Sequence, residues 1–171
     1  MFARYPVPCV VPGSLSIMPC PPARALERIL DDLKKDGMNV VLSMLPPAEA
    51  AKLGVAEEST NCAARDLTFL THPIADFHLP DTAEFSELIQ TLVDRLNAGE
   101  RIAVHCRAGI GRSGMVAACV LIALGNSASK AITIVSDARG VSIPDTVEQA
   151  DFISLFEQQF KSGTGAKPLF L

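Results

Sequence analysis

No Cys-x-x-Cys pair occurs in this sequence, and its five cysteines, Cys9, Cys20, Cys62, Cys106 and Cys119, are an odd number. That pattern excludes a zinc ribbon and argues against a disulfide framework. The three histidines, His72, His78 and His105, do not stand at metal-finger spacing from any cysteine, so no structural metal is expected. Long apolar runs are also missing. The longest, Met115 to Leu124, is about half of the roughly 20 residues that a bilayer span needs, and it reads as a buried helix. The N-terminal stretch MFARYPVPCVVPGSLSIMPCPP is broken by prolines too often to form the apolar segment of a secretory signal, so a cytoplasmic protein is expected. A formal net charge of −4 gives no reason to expect a nucleic-acid partner.

What is present fits one compact domain over residues 1–171, with a loose tail from about residue 162. Hydrophobic residues make up 49% of the chain and charged ones 20%, the balance of an ordinary globular protein rather than a disordered one. Val7 to Val11 and Leu15 to Met18, fenced by Pro and Gly, read as a pair of edge strands. PPARALERILDDLKKDG opens with proline, repeats apolar residues at helical spacing and stops at Gly37, which predicts a helix. MNVVLSML, LTFLTHPI and RIAVH read as further strands. Short helices are expected from Pro46 to Leu53 and across AEESTNCAARD, and a long amphipathic one from an N-cap at Thr82 to Gly99. Three more are expected, from Ser113 to about Leu124, Ser127 to Ala138 and Asp145 to about Lys161. The alternation predicts an α/β fold: a central, mainly parallel sheet with helices on both faces, which binds ligands at the carboxyl ends of its strands.

One segment stands at that edge between a strand and a helix. HCRAGIGRSG, residues 105–114, holds Cys106 and Arg112 with five residues between them. If the loop curls at a helix N-terminus, the successive amides of Arg107, Ala108, Gly109, Ile110 and Gly111 form a nest for an anion. Phosphate is the natural guest, and the planar fork of Arg112 can grip two of its oxygens. Such a field also favours thiolate over thiol at Cys106. Gly109 and Gly111 keep the guest's approach clear, and Ser113 can donate to the departing sulfur.

His-Cys-x-x-Gly-x-x-Arg-Ser resembles the signature of the cysteine-dependent protein tyrosine and dual-specificity phosphatases, and HCRAGIGRSG fits it at each position. HPIADFHLPD is similar to the general-acid loop of the kinase-associated members, with Asp76 lying 30 residues before Cys106. The resemblance implies the cysteine-phosphatase fold and hydrolysis of phosphomonoesters on phosphotyrosine or phosphoserine/threonine proteins. It makes Cys106 the nucleophile that forms a phosphocysteine, Arg112 the phosphate ligand, and Asp76 the acid and then the base. It also implies that His105 orients the loop, that Gln149 in DTVEQADFI stands near the hydrolytic water, and that no metal or organic cofactor is needed. Asp81 is the competing acid. The tryptophan that precedes the acid in many tyrosine phosphatases is replaced by Ile74-Ala75, which favours the dual-specificity side.

Other readings stand beside this one. Gly109, Gly111 and Gly114 also satisfy G-x-G-x-x-G, with Asp137 as a ribose ligand, but too few residues follow for a dinucleotide domain. A phosphoinositide or inositol phosphate phosphatase is the alternative enzyme, for which Arg107 supplies an extra cation while Ile110 supplies none. A phosphoprotein-binding module is disfavoured because no core catalytic position is missing. Cys119 reads as a small core residue, and Cys62 as a thiol that could pair with Cys106 on oxidation. The resemblance leaves oligomeric state and the purpose of Arg107 open.

Overall fold

A computed structural model describes residues 1–163, so all but the first two residues of the expected tail lie outside the described residues. The strands are β1 (Tyr5–Val7), β2 (Ser14–Met18), β3 (Val40–Ser43), β4 (Thr68–Thr71) and β5 (Arg101–His105). The helices are α1 (Leu26–Lys35), α2 (Pro47–Lys52), α3 (Glu58–Ala63), α4 (Thr82–Asn97), α5 (Arg112–Ala123), α6 (Ala128–Arg139) and α7 (Val147–Ser162). The sheet order is β1-β2-β5-β3-β4. Only the β1 pairing is antiparallel. β2 is therefore not an edge strand, as expected from sequence, but lies inside the sheet beside β5. Leu15, Ile17 and Met18 are buried on opposite faces, whereas β1 carries Pro6 at the true edge.

Each face of the sheet has its own core. Leu15, Ile17, Val40, Leu42, Ile102 and Val104 pack with residues of α4 to α7 on one side. Met18, Val41 and Ala103 pack with Leu26, Ile29, Leu30 and Leu33 of α1 and Cys62 of α3 on the other. Each large side chain so buried contributes about 1.5–3 kcal/mol. Helix α5 is buried from Arg112 to Ile122, which explains its continuous apolar sequence: it has no solvent face to pattern.

Three helix starts refine the sequence reading. At α4 the cap is Asp81 rather than Thr82, its carboxylate accepting the Glu84 N–H at 3.0 Å. An anionic acceptor complements the positive helix end, and its side-chain role here is capping. Ser127 caps α6, which ends at Gly140 with φ +80°, so residues 128–139 are helix and not the strand a dinucleotide fold requires there. Helix α7 starts at Val147, capped by Thr146, two residues after the expected Asp145. Asp145 is thereby left outside the helix.

Candidate active site

The loop from Cys106 to Gly111 leaves the carboxyl end of central β5 and turns into α5. The α5 N-cap is Gly111, with no side chain capping it, so the first amides of the helix are open to a guest. The loop carbonyls are held outward. Arg107 O accepts from Cys20 N at 3.0 Å, Ala108 O from Arg139 Nη2 at 3.1 Å and Gly109 O from Arg139 Nε at 3.0 Å. Arg139 is itself seated over the Tyr5 ring, 4.2 Å from its centre. With the carbonyls engaged behind, the opposing N–H dipoles face the concave side, except that the Gly111 N–H donates to the Asp145 carboxylate. Gly109 has φ +69°, and a Cβ there would come within 2.6 Å of the Met18 backbone. Its reason for being glycine is thus close approach to β2 rather than room for the guest.

Cys106 is buried, 2% exposed, with Sγ 3.3 Å from Ser113 Oγ. His105 is wholly buried: Nδ1 lies 3.3 Å from Cys106 O, and Nε2 lies 3.0 and 2.9 Å from the two oxygens of buried Glu58. Both ring nitrogens therefore face oxygens, and the imidazole ties the start of the loop to α3. Arg112 is fixed just as firmly. Glu49 of α2 takes Nη1 and Nη2 at 2.7 and 2.9 Å, Ile74 O takes Nη1 at 2.9 Å, and Asp76 Oδ1 stands 3.1 Å from Nη2. Burial opposes the Arg112 charge, and the Glu49 bonds with the Cys106, Glu49 and Asp76 charges outweigh it and raise its pKa. The Arg112 bonds hold the Glu49 carboxyl below its ordinary range. Arg112 Nε is buried with no protein partner, a donor left for a ligand.

The front of the site is open. Asp76, Phe77, Cys106, Arg107, Ala108 and Asp145 line a cavity of about 350 Å³. Phe77 is 60% exposed and adopts φ +61°, a conformation rare for a bulky residue. His78 Nδ1 lies 2.8 Å from Asp76 O. Arg107 is exposed at the rim, its side chain in no hydrogen bond or ion pair of the described residues, while Ile110 is half-buried against the core. Burial, then the nearby Asp76 charge, raise the Asp145 pKa against an opposing hydrogen bond from Gly111 N. Gln149 is fully buried, accepts the Asp145 N–H at 3.2 Å, and leaves Nε2 unpartnered.

Sequence reasoning missed Glu49, Glu58, Arg139 and Asp145 as site residues. Glu58 sits in a segment that reads as solvated, and nothing local marks it as buried. Asp145 opens the DTVEQADFI segment, where the sequence reads as the start of a helix. Cys62 packs in the core on the α1 side of the sheet and Cys106 in the core on the other, and Cys106 adds to the rise of the Cys20 pKa. Burial pushes both Cys20 and Cys62 up to about 12, and Cys119 well up as well.

A nucleophile-bearing loop at a helix N-terminus, with an arginine fork and a facing carboxylate, defines a cysteine-dependent phosphatase site. Comparison with known proteins agrees. Residues 21–126 match a family model described as "Polymorphic toxin system, DSP-PTPase phosphatase", and the chain belongs to that family. Cyclin-dependent kinase inhibitor 3 of Rattus norvegicus and of Homo sapiens are each 28% identical over 138 residues, covering 80% of this chain and 65% of theirs. The chain thus spans just under two thirds of the length of these relatives. Among solved structures, kinase associated phosphatase with its catalytic-site cysteine changed to serine superposes with a TM-score of 0.86 at 23% identity, covering 94% of this chain and 97% of that one. PTPMT1 superposes with a TM-score of 0.76 at 19% identity, covering 95% and 98%.

Proposed function

We propose that this phosphatase acts on phosphoproteins through a phosphocysteine on Cys106. The single observation that carries the reading is the buried, unpartnered Arg112 Nε beside a loop whose carbonyls are all turned away. A phosphate in the loop satisfies that donor, meets the open α5 amides, and presents phosphorus to Cys106 Sγ in line. Asp76, 3.1 Å from Arg112, is within reach of the leaving oxygen and protonates it as the P–O bond breaks. Ser113 Oγ, 3.3 Å from Sγ, donates to the sulfur when water displaces it. Glu49 clamps the far side of Arg112 and His105 the start of the loop, so both are positioning residues.

The lining of the mouth favours a protein over a multiply phosphorylated headgroup. Two carboxylates, Asp76 and Asp145, share it with one exposed cation, Arg107, and a second phosphate there meets net negative charge. Phe77 offers apolar surface for a peptide side chain. The reading is tested by profiling tyrosine-, serine- and threonine-phosphorylated peptides against phosphoinositides with wild type and an Asp76→Ala trapping variant. Peptide turnover and peptide capture by the variant are expected; turnover confined to phosphoinositides contradicts the assignment.

A further inference from the structure

Asp145 has no part in the signature loop, yet its backbone and carboxylate are both placed by site residues. Its N–H is held by Gln149 Oε1 at 3.2 Å, and its carboxylate accepts the Gly111 N–H beside the open end of α5. A Cβ on Gly111 would lie 2.3 Å from Asp145 Oδ2 and 2.9 Å from Gln149 Oε1, so glycine at 111 is what lets the carboxylate come this close to the loop. The residue lines the same cavity as Cys106 and Asp76 and is exposed to solvent. Next to it, Gln149 Nε2 is buried without a protein partner, a donor whose hydrogen bond is still to be made.

Resting on the phosphocysteine reading, we propose that Asp145 is the general base of the second half-reaction, taking the proton of the water that hydrolyses phosphocysteine. Gln149 Nε2 donates to that water's oxygen, and the Asp145 carboxylate accepts one of its protons. The water oxygen forms the new bond to phosphorus as the P–S bond breaks. The bonding pair returns to Cys106 as thiolate, hydrogen phosphate leaves, and Asp145 holds the proton until it passes to solvent. Asp76, held by Arg112, keeps the acid role of the first half-reaction, and the base role that the family resemblance gives to Asp76 passes to Asp145. The elevated basicity of Asp145 suits it to this task.

Asp145→Asn tests the division of labour, because its amide oxygen can still accept the Gly111 N–H. Rapid-mixing kinetics with an aryl phosphate are expected to show a burst of about one equivalent of aryl alcohol. A steady rate lowered about 10²-fold follows, with kcat/KM at the wild-type value because phosphorylation precedes the defect. Asp76→Asn lowers kcat/KM without a burst. An Asp145→Asn enzyme with wild-type kcat and no burst overturns the proposal, as does an equal fall in kcat and kcat/KM. Full activity in Cys106→Ser sinks the phosphocysteine reading itself, whereas an inactive Cys106→Ser beside a wild-type-like Asp145→Asn sinks only the role of Asp145.

Discussion

The rear and the front of the site are built differently. Behind Cys106, side chains are paired at or near the core: His105 with Glu58, the Arg112 Nη atoms with half-buried Glu49, and Sγ with Ser113 Oγ. In front, Asp76, Phe77, Arg107 and Asp145 stand on loops around an open cavity, with few fixed partners. The rear is anchored on the sheet and α5, where displacement of any group leaves a buried polar partner unsatisfied. The front is free to meet water and substrate. Substitutions at the rear are thus expected to disturb stability and alignment together, and those at the front to separate individual chemical steps from stability.

Predictions follow that contrast. Cys106→Ser should reduce aryl phosphate turnover to the uncatalysed level while inorganic phosphate still binds, measured by competition calorimetry. At the front, Asp76→Asn should lower kcat/KM about 10²- to 10⁴-fold and leave the melting temperature unmoved. Glu58→Ala, at the rear, should cost about 1–3 kcal/mol in denaturant unfolding, because it leaves the buried His105 Nε2 without a partner. A loss confined to activity there erases the distinction between the two halves. Glu49→Gln should release one side of the Arg112 fork and lower kcat/KM by up to about 10²-fold, with weaker phosphate binding.

The smallest expected effect concerns pH. Asp145 has its pKa raised in the folded chain, so the ionised carboxylate is penalised on folding. That penalty is absent below its unfolded pKa and grows as pH rises through the folded one. Asp145→Asn is therefore expected to melt at or slightly above the wild-type temperature at neutral pH, with the difference vanishing in acid. A lower melting temperature for the variant at neutral pH shows a structural clamp instead.

The legible parts of the sequence are those whose cause is local. The strand RIAVH, the glycine-spaced loop, and the apolar helix that follows all announce themselves within a few residues, and the alternation of elements carries the mainly parallel sheet. The signature likewise brings Cys106, Arg112 and Ser113 to one place, and the structure puts Asp76 opposite them. What was not legible depends on distant chain. Glu49 and Glu58 reach the site only because α2 and α3 follow β3 onto the carboxyl edge of the sheet, and no local pattern separates them from solvated glutamates. The position of β2 depends on its pairing with β5, almost ninety residues on. Asp145 was hidden by a helix boundary misplaced by two residues, the scale on which cap choice between neighbouring polar residues is decided.

The central claim is that phosphate passes through Cys106. Acid quenching of wild type within the first turnover of an aryl phosphate, followed by digestion and mass spectrometry, tests it directly, and Asp145→Asn should enlarge the signal. The account predicts one phosphoryl group on the peptide that bears Cys106, absent in Cys106→Ser. Turnover with no phosphorylated peptide in either enzyme, or with the phosphoryl group on another residue, contradicts it.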